Sequence, residues 1–387
     1  MVEVKRFSNW NEAYGYRDAW NELISSSAVS SVGIPSIFQT YEWNHAWWTA
    51  FGKGNELLLL GAFEGANLIG VAPFMITRRW LPLPSRAVRF IGGANFASDY
   101  CSFIFAPGKE TVVALFAQWI SDHPELWNEL DFANVLADSP GLVELTRRFG
   151  DSRFKPELRF LYDAPTRLLG DEVEDREIVN KKSLKRHFNW FKNQGELVFR
   201  HWENADEIEC QLDEFFNQHI SRRSVTDARS PFRDSRQRLF YRVLVDMLLP
   251  KGWLRFSSVT LNGEAIAYHF GFEYGERYYW YKPSFSIKYI KKSPGEVLLK
   301  SLMEYSMERK LKEFDFTVGS EAFKYRFSNR IRKAYRFHAF RTLPPYLAHK
   351  TIVFLGMLRR ATHRLARLSG KGPVTPPRNQ EKEDRQA

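Results

Sequence analysis

A chain of 387 residues, 44% hydrophobic and 16% aromatic, has the length of two or three domains with their own cores. This composition excludes a largely disordered, coiled-coil or collagenous protein. Of the net charge of +11, the stretch from Ala322 to Gln380 holds 14 Lys and Arg and no acidic residue, leaving −3 on the rest, so an anionic partner such as phosphate, anionic lipid or nucleic acid is expected there.

In chain order, polar helical patterns run from Asn11 to Ser26, and Trp43, Trp47 and Trp48 share one face of a short helix over Gln39–Phe51. Leu57 to Ile76 reads as strand, Glu64-Gly65-Ala66-Asn67 turn, strand. Val88–Ile91 and Tyr100–Phe105 read as strands around the loop starting at Gly92. Val112–Ile120 reads as a helix and Glu129–Val135 as a strand. The acidic stretch that follows is read as the linker between halves, over residues 166–179.

Beyond the linker, Asn180 to Gln194 is a basic amphipathic helix ended by Gly195. Glu196–Trp202 is a strand, and Asn204 with Glu207 resembles a capping box opening a helix to about Ile220. Phe232–Leu249 is a helix. Leu254–Leu261 and Ala265–Phe272 form a hairpin on the turn Asn262-Gly263, and Arg277–Tyr281 is a strand. Pro294–Arg309 is a helix with Pro in its first turn, Lys312–Thr317 a strand, and Arg336–Phe340 a last strand. A basic amphipathic helix and a Pro-rich charged end follow. AFEGANLIGVAPF aligns with VTLNGEAIAYHFGF, which points to an internal duplication at a period of about 200 residues.

The densest constellation runs from Lys291 to Phe327. Ser293, Pro294 and Gly295 precede a helix whose free N–H groups and dipole suit a phosphate or pyrophosphate. On three residues alone, an ordinary strand-to-helix turn is the preferred reading. Asp315 points away from the face bearing Phe314 and Phe316, toward solvent or into a cleft. Gly319 permits positive φ or close ligand approach. Glu321 and Lys324, three apart, share a face, as a surface ion pair or as site groups. Arg222 and Arg223 follow the Asn204 helix, where cations also suit a helix C-terminus. Trp280 and Tyr281 alternate on a strand, lining a cleft or filling the core. Cys101 and Cys210 are expected as packed thiols, and His45, His201 and His269 show no metal-ligand spacing, so no metal is expected.

The pattern Ser293-Pro294-Gly295, helix, Phe314-Asp315-Phe316, Gly319-x-Glu321-x-x-Lys324 and Phe327 resembles a GNAT-type acetyltransferase family related to proteins of bacterial cellulose and exopolysaccharide synthesis. IFQTYEW from Ile37, the triplet Ser98-Asp99-Tyr100 and GEAIAYHFGF from Gly263 are similar too, so the resemblance spans roughly Ile37 to Phe340. Thr317-Val318 stands where that family more often has a glycine. The resemblance implies an α+β fold of two tandem GNAT-like domains with mixed sheets, an arrangement shared with Fem-type aminoacyl transferases. The domains would be residues 1–165 and 180–345, the second catalytic, followed by a basic helix and tail over 346–387.

It further implies acyl transfer from acetyl-CoA or another acyl-CoA to an amine or hydroxyl on a sugar or cell-envelope precursor, by direct attack on the thioester. Lys324 would stabilise the oxyanion and Asp315 position or deprotonate the acceptor. Ser293, Pro294, Gly295 and Gly319 would hold the donor. Arg222, Arg223, Tyr281 and Glu321 would hold the acceptor. The alternatives are a Fem-like transferase using aminoacyl-tRNA, in which tRNA binding would be salt-sensitive, and a non-catalytic adaptor of a polysaccharide-synthesis complex. With no signal-like amino terminus and no run of roughly 18 apolar residues, the expected location is cytoplasmic. Leu347–Leu368 carries Ile352, Leu355, Leu358 and Leu365 beside Arg359, Arg360, Arg364 and Arg367, so peripheral contact with an anionic membrane is in view.

Overall fold

The computed structural model describes residues 1–27, 36–80, 83–95, 97–225 and 229–368, with the side chains of 94 and 359–368 excepted. Thirteen strands among them form one continuous mixed sheet. In chain order these are β1 (Val2–Phe7), β2 (Glu56–Glu64), β3 (Asn67–Arg79), β4 (Ser85–Phe90), β5 (Ile104–Phe105), β6 (Glu129–Leu136) and β7 (Glu157–Leu168). They continue as β8 (Leu197–Trp202), β9 (Leu254–Leu261), β10 (Glu264–Tyr274), β11 (Arg277–Phe285), β12 (Glu313–Asp315) and β13 (Arg330–Phe340).

The duplication is visible strand by strand. In the first unit β1 to β4 form an antiparallel meander, a helix (Thr111–Asp122) crosses over, and β6 returns parallel to β4. In the second, β8 to β11 form the meander, the helix Pro294–Glu308 crosses over, and β12 returns parallel to β11. A second repeat sits on the returning strands: Glu129-Leu130-Asp131-Phe132 on β6 and Glu313-Phe314-Asp315-Phe316 at β12.

The closing strand of each unit is exchanged. β7, which ends the first unit, pairs with β12 of the second, while β13, which ends the second, pairs with β6 of the first. β7 and β13 then pair with each other along nine residues of register, from Arg330↔Thr166 to His338↔Glu157. The stretch expected as a linker is therefore ordered. Its residues 166–168 belong to β7, and Asp171 caps a helix at Glu172–Val179 by accepting from the N–H groups of Val173 and Glu174. Buried Arg167 and Asp175 pair at 2.8 Å between the two elements.

The sheet is covered on both faces, which the apolar run Leu57–Leu60 already requires. Leu59, Val71, Phe256 and Phe270 face an aromatic layer that contains Trp43, Phe240, Phe272 and Tyr281 and is shared by both units. Leu58, Leu60 and Phe74 face a separate core with Val113, Phe116 and Leu145. On that side the second unit packs Trp280, Phe314 and Phe316 with Val297, Leu298 and Leu302. Within the shared layer Phe38 and Trp43 stand edge-on to one another at 4.8 Å and both contact Tyr281, a favoured geometry for buried rings.

Candidate active site

The parallel ladder of β11 and β12 ends at Tyr279↔Asp315, yet β11 runs on to Phe285. Past that rung the strands part, and the Thr317 hydroxyl donates across to Trp280 O at 3.2 Å. This opening is the candidate site. The equivalent opening between β4 and β6 is crossed by the first unit's own chain. There Ser98 N donates to Gly92 O at 3.2 Å, Cys101 N to Asn134 O at 2.9 Å, and Asn134 Nδ2 to Ser98 O at 2.8 Å. That crossing carries Asp99 and Tyr100 toward the second unit.

Lys324 lies on the short helix Ala322–Phe327, is 4% exposed, and donates to Val318 O at 2.8 Å while pairing with Glu321 at 3.0 Å. Gly319 makes this fit possible. Its φ is 136°, and a Cβ there would lie 2.3 Å from Glu321 Oε2 and 2.7 Å from Lys324 Nζ. The close approach expected of this glycine is thus made by the ion pair.

Asp99 is buried against Lys282, Lys324 and Glu321, with the Thr317 hydroxyl as a hydrogen-bond neighbour. Burial outweighs the two lysines and holds its carboxyl up at about 6. Burial also lowers the Lys282 ammonium, with Asp99 opposing and Lys324 and Arg223 assisting. Arg222 sits in the last turn of the helix Ala205–Ser224, donates to Pro283 O at 2.8 Å and lies 4.2 Å over the Phe285 ring. Burial and neighbouring Arg223 push it down to about 10. Phe285 in turn faces Gly295, where a Cβ would come within 3.1 Å of the ring. Ser293 takes φ 56° and no side-chain hydrogen bond caps the helix, which starts at Pro294 with Lys291 and Lys292 exposed just before it. Glu296 in its first turn is engaged by Arg326 at 3.1 Å and His187 at 3.6 Å.

The structure therefore brings Lys324, Glu321, Gly319, Arg222, Arg223 and the Ser293–Gly295 turn around one opening. Two expected site residues lie elsewhere. The sequence leaves Asp315 facing solvent or a cleft, but it is fully buried, accepting from the Tyr100 hydroxyl and the Thr317 N–H, both at 2.7 Å. Burial and Glu313 raise it, against Arg332. Asp315 thus positions Tyr100 and Thr317 instead of meeting an acceptor. Tyr281 is a core residue whose hydroxyl donates to Ala97 O at 2.7 Å, tying the units together. Asp99 and Lys282 are the groups that residue-by-residue reading passes over. The triplet at Ser98 held the signal for the first; Lys282 on an aromatic strand offered none. Thr317 adopts φ 58°, strained for a β-branched residue. Of the cysteines, Cys101 is packed but Cys210 is exposed.

A buried cluster of Glu129, Asp131 and His338 has ligand atoms close enough for a metal ion. Arg336, Arg89 and Arg79 already engage its carboxylates, so its charge is met by cations of the protein.

Residues 180–325 match the model of the acetyltransferase (GNAT) domain family. Among solved structures the fold is similar to that of FemX, with TM-score 0.57 and 10% identity, covering 90% of this chain and 99% of that one. A conserved protein of unknown function from Bacteroides thetaiotaomicron VPI-5482 gives TM-score 0.53 at 14% identity, covering 88% and 100%. The C-terminal domain of a protein assigned as a lysylphosphatidylglycerol synthetase, from Agrobacterium fabrum, gives 0.52 at 11%, covering 88% and 95%. No curated protein matches significantly.

Proposed function

We propose that this chain, whose residues 180–325 match the acetyltransferase (GNAT) domain model, is an enzyme that moves an acyl group from acyl-CoA to an amine or hydroxyl of an anionic acceptor, such as a sugar or cell-envelope precursor. The observation that carries this reading is the meeting of Asp99, Lys282 and Lys324 at the opening between β11 and β12. Asp99 takes the acceptor's proton as its nitrogen or oxygen attacks the thioester carbonyl. Lys324 stabilises the oxyanion that develops, and the thiolate of CoA leaves and is protonated. Arg222, Arg223, Lys282 and Lys324 outnumber Asp99 and Glu321 around the opening, which suits an acceptor bearing a carboxylate or phosphate. The start of the helix Pro294–Glu308 is positioned for the donor's pyrophosphate.

Calorimetric titration with acetyl-CoA tests the donor site. Micromolar binding is expected, with Ser293→Asp weakening it at least about tenfold by charge repulsion at the helix start. Ser293 is the better position, since a side chain at Gly295 would also strike Phe285. Absence of binding by the folded protein would turn the assignment to aminoacyl-tRNA as donor.

A carboxylate base works only when ionised, so kcat/KM is expected to rise with pH through about 6, the value to which burial lifts Asp99. Asp99→Asn should lose about 10²- to 10⁴-fold in kcat/KM and flatten that limb. An unchanged profile in the variant would remove Asp99 from the chemistry.

A further inference from the structure

The last described helix, Leu343–Leu368, begins on the body and leaves it. Its first turns are anchored: Ala348 is buried, His349 meets Glu157 at 3.1 Å, and Lys350 pairs with the same carboxylate. From Thr351 to Leu358 every residue but Val353 is exposed. Ile352, Phe354, Leu355, Met357 and Leu358 are all exposed, Phe354 and Met357 by 60% and 61%. Single exposed apolar side chains need no account, but five within seven residues form a patch.

The sequence that follows gives the patch its character. Arg359, Arg360, Arg364, Arg367 and Lys371 come next, and no Asp or Glu occurs before Glu381. No helix among the described residues is long and apolar enough to cross a membrane. An apolar segment this short, followed at once by a basic one, has the composition of a segment drawn to the headgroup layer of an anionic membrane. An uncharged protein groove would match the apolar part and leave the cations unanswered.

We propose that the helix from Thr351 onward docks the enzyme on an anionic lipid bilayer, holding the body and its acyl-transfer site beside that surface. Co-sedimentation of the full chain with vesicles tests this. Binding is expected to vesicles of mixed phosphatidylglycerol and phosphatidylcholine. It should be at least roughly tenfold weaker to phosphatidylcholine alone, and to fall in about 0.5 M salt. The double variant Phe354→Asp/Leu355→Asp is expected to lose at least about tenfold in partition while keeping acetyl-CoA binding, because neither side chain touches the site. No enrichment on anionic vesicles, or equal binding by the variant, would overturn the proposal. A self-associated species in analytical ultracentrifugation that the variant dissociates, without vesicle binding, would also overturn it and give the face to a second copy of the chain.

Discussion

Lys324→Ala is expected to lower the acyl-transfer rate by about 10²- to 10³-fold, the effect of removing one preorganised donor from a developing oxyanion. The ammonium is held before any substrate arrives: Val318 O and Glu321 fix it at 2.8 and 3.0 Å, and Gly319 leaves it room. Little reorganisation is then needed at the transition state. Acetyl-CoA affinity should stay the same, because the Ser293–Gly295 turn is separate from the lysine. Single-turnover kinetics beside calorimetry separates the two quantities. Near-wild-type turnover by the variant would rule out Lys324 as the oxyanion group.

The largest expected loss of stability comes from Arg332→Met. Arg332 on β13 reaches across β7 to pair with both oxygens of Glu313 and approaches Asp315 Oδ2 at 3.9 Å. Arg332 and both acids are almost wholly buried. Burial alone would raise Glu313, but Arg332 and Arg277 override it and hold the carboxyl well below its usual range. Removing Arg332 leaves two buried carboxylates whose remaining neighbouring cation is Arg277, 3.0 Å from Glu313, beside hydrogen bonds from Thr166, Tyr100 and Thr317. A cost of about 3–5 kcal/mol follows from breaking such a group on one side.

The sign of the pH dependence can be worked out. Without Arg332, Asp315, already raised by burial and by Glu313, loses the cation that opposes the rise, so the folded variant binds more protons there and its stability falls as pH rises through that window. In the native protein Glu313 behaves oppositely: its depressed pKa adds stability that is present above the unfolded value and lost on acidification. Urea unfolding at about pH 5 and pH 8 should therefore show the larger deficit at pH 8. Equal deficits at both would mean that the cost is lost packing.

Where sequence and structure agree, the signals are local. Asn262-Gly263 turns β9 into β10 with Asn262 at φ 50° and Gly263 at 82°, as such a dipeptide should. Pro294 opens its helix, and the Asn204 side chain caps the next helix start by accepting from the Asp206 and Glu207 N–H groups. Where they part, the cause is long-range. β7 contains Pro165, which argues against an interior strand, yet its position is interior because Ile331 and Phe316 flank it. Arg330 to Arg336 fall in the basic stretch expected to meet an anionic partner, and β13 is six residues longer than expected. Arg332 and Arg336 in fact satisfy the buried acids of β12 and β6. Asp99 was hidden for the same reason: its meaning depends on Lys282 and Lys324, about 180 and 225 residues further along, and such meetings leave no local pattern.

The exchange of β7 and β13 has a consequence for biosynthesis. The first unit cannot close its sheet when its own residues leave the ribosome, because the strand that flanks β6 lies at residues 330–340. Until then β6 presents an unpaired edge, the kind of surface that recruits other chains. Domains ordinarily fold in turn from the amino terminus. Here the order is suspended for the first unit alone: it waits on residues 330–340, whereas β12 of the second unit finds its partner β7 already made.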